Sequence, residues 1–373
     1  MKFSSTILLL TSSILCANYL SNKSCKECHE DIYYEYQSSY HSKTYFNDEL
    51  HRKVANKANS KKYDCASCHM PGAKNLKELI TGEASPDTNN VEQTDAIGCM
   101  YCHQIAYVKQ AHEKNINVIA KQAQGYKPNM YGSLENPDDS DKHAMLNNPI
   151  YDKNVCLGCH SHKRNPNDVL IFQAIQKGGD TKECIKCHMP MIAGGAEKNN
   201  KRGRLQHHSH TFAGIHSLNM RSKGVDIDAS VTRNTLNVTL TNKMPHPLII
   251  QAARLKYLDI TILRDKKVIF KNFQHSPTED KQGAFHIEFL DENNNEVIIP
   301  SFAKKRGFVN NLMAKETKTL HYTTPQLHNG DTIIISLYVI LAKPNCSKVI
   351  NLKDPNLKQA QLMKKYTLKV NNL

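Results

Sequence analysis

The sequence predicts an α+β protein of two domains. A mainly helical, loop-rich domain occupies residues 18–222, an antiparallel β-sandwich of immunoglobulin-like type occupies residues 223–373, and an export signal occupies residues 1–17. Three observations lead there. Every Cys-x-x-Cys-His pentapeptide in the chain lies before Met189. After Gly224, apolar residues alternate with polar ones at the period of half-buried strands. A length of 373 residues also exceeds what one compact core usually holds.

At the N-terminus, Lys2 supplies the positive start, residues 7–10 with Ile14 and Leu15 the short apolar run, and Leu15-Cys16-Ala17 a cleavage site. The run is too short and too broken by Ser and Thr to span a membrane. The expected location is therefore the periplasm. A lipid anchor at Cys16 is the lesser alternative, because Leu15 is larger than the small residue such sites prefer.

Within the first domain, residues 30–46 place Ile32, Tyr33 and Tyr36 at helical spacing, and residues 48–58 read as a second helix. Asn167 is expected to cap a third helix, running from Asp168 through Leu170, Ile171 and Ile175 to Gly178. Loops rich in Asn, Asp, Pro and Ser fill residues 82–90 and 136–141. In the second domain, strands are expected at residues 225–231, 236–240, 255–263, 268–270, 285–290, 297–299, 317–322, 332–341 and 366–370. Absence of Trp and of a cysteine pair there does not support true immunoglobulin membership. Cys346 reads as a buried, inert thiol.

The chemistry lies in five repeats: Cys25-Lys-Glu-Cys28-His29, Cys65-Ala-Ser-Cys68-His69, Cys99-Met-Tyr-Cys102-His103, Cys156-Leu-Gly-Cys159-His160 and Cys184-Ile-Lys-Cys187-His188. Each is an attachment signature of haem c: two thiols form thioethers to the porphyrin, and the adjoining imidazole ligates the iron from the proximal side. They account for ten of the twelve cysteines and imply five covalent haems. Zinc or disulfides are poor alternatives for five repeats that all end in His in an exported chain. The low apolar fraction, 39%, fits a domain whose core is porphyrin.

Distal ligands are not set by local spacing. Nine histidines before Ser222 lie outside the motifs. His41 and His112 follow a motif by one or two helical turns, His143 precedes the fourth motif, and one histidine of Leu205-Gln-His-His-Ser-His-Thr-Phe is expected to ligate, with His210 preferred. His216 and His51 are further candidates. His162 reads as a surface or propionate contact, and Met70 and Met189, directly after proximal histidines, read as packing.

The chain resembles the multihaem c-type cytochromes related to cytochrome c-554, the electron acceptor of hydroxylamine oxidation, in a variant with a C-terminal β domain. The resemblance rests on Cys25-Lys-Glu-Cys28-His29 followed by Tyr36-Gln-Ser-Ser-Tyr-His41-Ser, on Cys65-Ala-Ser-Cys68-His69-Met-Pro, and on Cys184-Ile-Lys-Cys187-His188-Met-Pro followed by His210-Thr-Phe-Ala-Gly. It continues into Thr241-Asn-Lys-Met-Pro-His246-Pro, where Pro245 stands in place of the family's Gly. It implies closely stacked haems, supports His41 and His210 as distal ligands, and adds His246 as a ligand supplied by the second domain.

Together these readings point to a periplasmic electron carrier with mostly bis-histidine haems, working between redox proteins such as a quinol-linked donor, a terminal reductase or other cytochromes. No catalytic residue is assigned. No motif carries Lys in place of His, the mark of the active haem in pentahaem nitrite reductases. The alternative is a haem oxidoreductase acting on nitrite, hydroxylamine or tetrathionate at one open iron. A formal charge of +14 falls to roughly +8 once five ferric haems with ionised propionates and signal removal are counted, which suits acidic docking surfaces. Nucleic acid is not an expected partner. No transmembrane segment is expected either, and peripheral membrane association stays open.

Overall fold

The structure is a computed structural model describing residues 19–121, 127–138, 140–175, 183–198 and 200–371. The export signal, Cys16 and Gly178 lie outside the described residues. Up to Arg221 the described chain consists of short helices, 3-10 turns and two-stranded ribbons; from Val225 onward it is almost wholly antiparallel sheet.

The first helix after the leading motif is Glu30–Ser38, and it is shorter than the spacing predicts. Extended backbone at Ser39 and Thr44 breaks the rest into 3-10 turns at Tyr40–Lys43 and Tyr45–Asn47. Tyr36, the buried residue of this helix, donates its hydroxyl to the carbonyl of Asp95 at 2.5 Å, tying the helix to the segment before the third motif. Helix Glu49–Ala58 begins where expected, because the Asp48 carboxylate caps the N–H of His51.

The helix expected from Asp168 is absent. Asp168 takes a left-handed φ of 59°, and Leu170–Gln173 forms a strand paired antiparallel with His162–Arg164. The β-branched Ile171 and aromatic Phe172 suit that pleated pairing better than a helix. Ribbons at Ile105–Lys109 with Ile116–Ile119 and at Met191–Ala193 with Gln206–His208 are likewise antiparallel. Asn129–Gly132 and Ala144–Asn147 pair in parallel.

In the β part, a three-stranded sheet orders Thr317–Thr323, Thr235–Asn242 and Val225–Thr232. A six-stranded sheet runs Lys305–Asn310, Ala284–Leu290, Leu255–Arg264, Thr332–Ile340 and Gln361–Lys369, with Lys267–Lys271 also paired to Leu255–Arg264. The inward rows of both sheets, including Leu236, Val238, Leu240, Leu258, Ile260, Ile262, Ile333 and Ile335, close one apolar core. Alternation within each strand puts these residues on one face, which is why the pattern was readable.

Two strands depart from expectation. Residues 297–299 form no strand: Ile298 and Ile299 are buried, and the N–H of Val297 reaches the carbonyl of Phe289 before Pro300 turns the chain. Lys305–Asn310 was not predicted, because Lys305, Arg306 and Gly307 hide the alternation on an edge strand paired on one side only.

The two parts are joined by polar bonds. The Glu49 carboxylate accepts the N–H groups of Lys353 and Asp354 at 2.9 and 2.8 Å. The Asn165 amide donates to the carbonyls of Ala303 and Pro300. Arg221 donates through Nε to the carbonyl of Leu362 at 2.8 Å, and Leu50 packs into the core of the β part.

Candidate haem-binding site

Each of the five motifs is wound into about one turn of helix. The N–H groups of His29, His69, His103 and His160 bond back to the carbonyls of Cys25, Cys65, Cys99 and Cys156 at 2.9–3.0 Å. The fifth motif lies in helix Glu183–His188. Residues i, i+3 and i+4 of such a turn share a face, so two thiols and one imidazole project together. In the fourth motif a Cβ on Gly158 would come within 1.8 Å of the Asn117 side chain, so a larger residue there would displace that asparagine. That asparagine donates to the Tyr101 hydroxyl at 3.1 Å and lies 3.7 Å from the Cys159 sulfur, linking the third motif to the fourth.

Every motif histidine is faced by another histidine. Ring centroids are 6.2 Å apart for His29 and His143, 5.9 Å for His160 and His41, 6.3 Å for His103 and His210, and 6.3 Å for His188 and His246. For His69 and His51 the separation is 4.9 Å. A metal–imidazole bond is about 2 Å and a five-membered ring with bonds of about 1.33 Å puts each atom about 1.1 Å from its centre, so two imidazoles on opposite faces of one iron hold their centroids roughly 6 Å apart. Four pairs match that spacing. It is also well beyond the ~3.5–4 Å of atoms in contact, leaving room for a porphyrin plane between the rings.

The ring nitrogens tell the same story. Nδ1 of His29, His103 and His188 lies 2.6 Å from the carbonyls of Ala196, Tyr131 and Ala213. Nδ1 of His210 and His246 lies 2.7 and 2.8 Å from the carbonyls of His208 and Pro247, and that of His51 lies 2.6 Å from the Asp48 carboxylate. Such bonds set the tautomer and leave Nε2 with a lone pair for a metal. Burial pushes His41, His69 and His210 down to about 3, so these rings are neutral at physiological pH, as ligation requires. Among the described residues no three of His, Cys, Asp and Glu converge as a bare-metal site. The residues present fit haem.

Some motifs that meet in space are not consecutive in sequence. The sulfurs of Cys25 and Cys99 are close neighbours, as are those of Cys68 and Cys159. Phe212 lies 4.4 Å from His41 and 5.8 Å from His210 by ring centroids, between the third and fourth sites. Cys28 and Cys187 are the exposed motif cysteines.

Two distal candidates are not brought into such pairs. His112 is exposed, with Nε2 2.7 Å from the Asp168 carboxylate. His216 is stacked on Tyr40 with 3.4 Å between centroids, a contact that leaves no gap for a macrocycle. Helical proximity to a motif misled in the first case, because strands Ile105–Lys109 and Ile116–Ile119 form a ribbon whose connecting loop carries His112 outward. His207 has both nitrogens committed, to the carbonyl of Gly194 and to Glu35. His162 Nε2 lies 3.1 Å from the carbonyls of Ala111 and His112. Met70 is fully buried among Tyr63, Ala66 and Leu79. Cys346 is fully buried in the β part, and burial pushes its thiol up to about 11. Sequence reasoning missed Phe212 and Glu35, whose carboxylate accepts the N–H of His210 at 2.7 Å; neither carries a local signal.

Known proteins resemble this chain in part of its sequence and in its fold. Residues 24–104 match the family described as cytochrome c554 and c-prime. Over those residues the chain is similar to that family. No curated protein matches it. Among solved structures it is similar to a penta-heme cytochrome c552 from Thermochromatium tepidum, with 20% identity and a TM-score of 0.72 over 94% of this chain and 98% of that one. That likeness is one of fold. A putative beta-galactosidase from Bacteroides fragilis, at a TM-score of 0.16 and 11% identity over 40% of this chain and 16% of that one, carries no argument. The family match therefore takes in the first three motifs, and the structural match gives the fold of the whole chain.

Proposed function

We propose that this chain is a periplasmic electron carrier with five haems c, each iron closed by two imidazoles. The proposed axial pairs are His29 with His143, His69 with His51, His103 with His210, His160 with His41, and His188 with His246. The carrying observation is that every motif histidine is faced by a second one. Five haems also match the number in the name of the Thermochromatium protein.

Bound haem supplies a one-electron Fe(III)/Fe(II) couple. The chain's own residues do the rest. Cysteine pairs anchor, carbonyl-bound imidazoles orient, and closure on both faces keeps water from the iron. Cys25 beside Cys99 and Cys68 beside Cys159 bring attachment sites one and three, and two and four, into close neighbourhood. The exposed Cys28 and Cys187 make the first and fifth sites the natural places for partners to dock. A basic chain favours partners with acidic surfaces.

We read residues 18–222 as the pentahaem domain and residues 223–373 as a sandwich of immunoglobulin-like type, supported by two antiparallel sheets around a shared core. Periplasmic location rests on the expected export signal. No helix among the described residues is long and apolar enough to cross a membrane.

Paired oxidised and reduced spectra test the proposal. Five low-spin haems that bind no carbon monoxide are expected; a dominant high-spin component would overturn it. A second reading has one specific support. The His51–His69 pair is the shortest, and the His51 side chain is 41% exposed, so the haem at Cys65 and Cys68 is the place where nitrite, hydroxylamine or tetrathionate could displace a ligand. Turnover of any of these with reduced viologen, abolished by carbon monoxide, would favour that oxidoreductase reading.

A further inference from the structure

Lys256 breaks the pattern of its strand. In Leu255–Arg264 the residues Leu258, Ile260 and Ile262 face the apolar core, and Lys256 begins that same row. It is 4% exposed, paired through its backbone with Phe285 and Val339 in the middle of the six-stranded sheet. Apolar side chains follow it in this row until Arg264 ends the strand. A buried ammonium there costs stability unless it is fully hydrogen-bonded, and no carboxylate forms an ion pair with it among the described residues.

Its partners identify what it does. Nζ donates to the carbonyls of Leu248 and Ile249 at 2.8 and 2.7 Å. These residues follow His246-Pro247 in a stretch, residues 243–250, with no regular secondary structure and so no ladder to satisfy its backbone. On the other side of His246, the Asn242 amide donates to the His246 carbonyl at 3.0 Å and to that of Met313 at 2.7 Å. The N–H of Leu248 bonds the carbonyl of Leu312 at 2.9 Å. Asn242 thus holds the segment before the imidazole, and Lys256 holds it after.

We propose that Lys256 is a positioning residue for His246: its ammonium pins the carbonyls of Leu248 and Ile249 to the strand Leu255–Arg264, and thereby holds the imidazole opposite His188. This rests on the reading of His246 as the distal ligand of the fifth haem. Two carbonyls in unlike directions need a donor with several hydrogens on a long stem, which lysine supplies and leucine or methionine does not. The row therefore carries an amine where packing alone would favour an apolar residue.

The test uses the full haem-loaded chain and three variants, read by electron paramagnetic resonance and by carbon monoxide binding after reduction. His246→Ala should convert one haem of the five to a high-spin, carbon-monoxide-binding form and leave the others low-spin. Lys256→Met should raise the high-spin fraction of that same haem at least tenfold over the parent, with the other four unchanged. General loosening would instead spread high-spin signal over several haems, and that result overturns the proposal. An unchanged Lys256→Met beside a high-spin His246→Ala also overturns it. A His246→Ala chain with all haems low-spin overturns the ligand reading itself. If Lys256→Met does not accumulate, Lys256→Gln decides: a shorter, uncharged donor should raise the same signal several-fold, and an unchanged spin state refutes the proposal.

Discussion

The imidazole of His188, at the end of the last motif helix, faces that of His246, in the segment after strand Thr235–Asn242, with 6.3 Å between ring centroids and 22° between ring planes. One ring belongs to the part rich in haem motifs and the other to the part built of sheets. In the proposed reading the β part is therefore a supplier of one ligand, and the fifth haem spans the join between the two.

The pairing makes the distal histidines separable by mutation. His41→Ala is expected to open the haem at Cys156 and Cys159, giving a high-spin iron that binds carbon monoxide, whereas His112→Ala and His216→Ala should leave every haem low-spin. Spectra of the three purified variants check this. A high-spin haem in His112→Ala would contradict the geometry, because that ring is exposed and held by Asp168.

Mass spectrometry of the exported chain is expected to show five haem increments over the processed polypeptide. Replacing Cys184 and Cys187 together by Ala should remove one increment and leave the other four, since each motif is a local turn that needs no other motif to form. Loss of two or more increments would mean that attachment is cooperative.

Glu49 predicts a pH dependence of the contact between the two parts. Burial alone would raise its carboxyl, but the Lys53 ammonium and the N–H groups of Asp354 and Lys353 outweigh it and hold the group at about 2. Against an unfolded value of about 4.3, the unfolded chain binds more protons between those limits, so this contribution is present above about pH 4.3 and is lost as pH falls toward 2. Glu49→Gln should cost about 1–3 kcal/mol at neutral pH, the worth of hydrogen bonds to a charged group. It should also flatten the acid limb of the stability curve, measured by denaturant titration at several pH values.

Leu258 is fully buried between the two sheets. Leu258→Ala is expected to destabilise the chain by about 2–5 kcal/mol through lost burial and the remaining cavity. The haem spectra should be unchanged at temperatures where the variant is folded, because none of the motif cysteines or histidines belongs to that core. Calorimetry and spectra on the same sample check both halves.

Much of this was legible in one dimension. The Cys-x-x-Cys-His turns are interactions over three and four residues, so their spacing alone places two thiols and an imidazole on one side of a helical turn. The strands of the β part were readable because alternation sorts inward from outward residues without reference to a partner. Misreadings fell where partners mattered. Leu170-Ile171-Phe172 has apolar residues compatible with either period, and pairing with His162–Arg164 decided for a strand. Lys305–Asn310 is held by one neighbour at a sheet edge, so its own residues carry little pattern.

By itself, then, the order of residues determined the attachment chemistry, the proximal histidines expected beside it, and the change from helical turns to sheet after Gly224. Only the tertiary structure decided which of nine spare histidines, with His246 besides, stands opposite each motif. His143, His210 and His246 meet their partners across long loops, and His112 misses one despite its favourable spacing. Local geometry is written in short-range backbone bonds, but contacts between distant residues depend on how loops close and which carbonyls catch Nδ1, and no spacing rule encodes either.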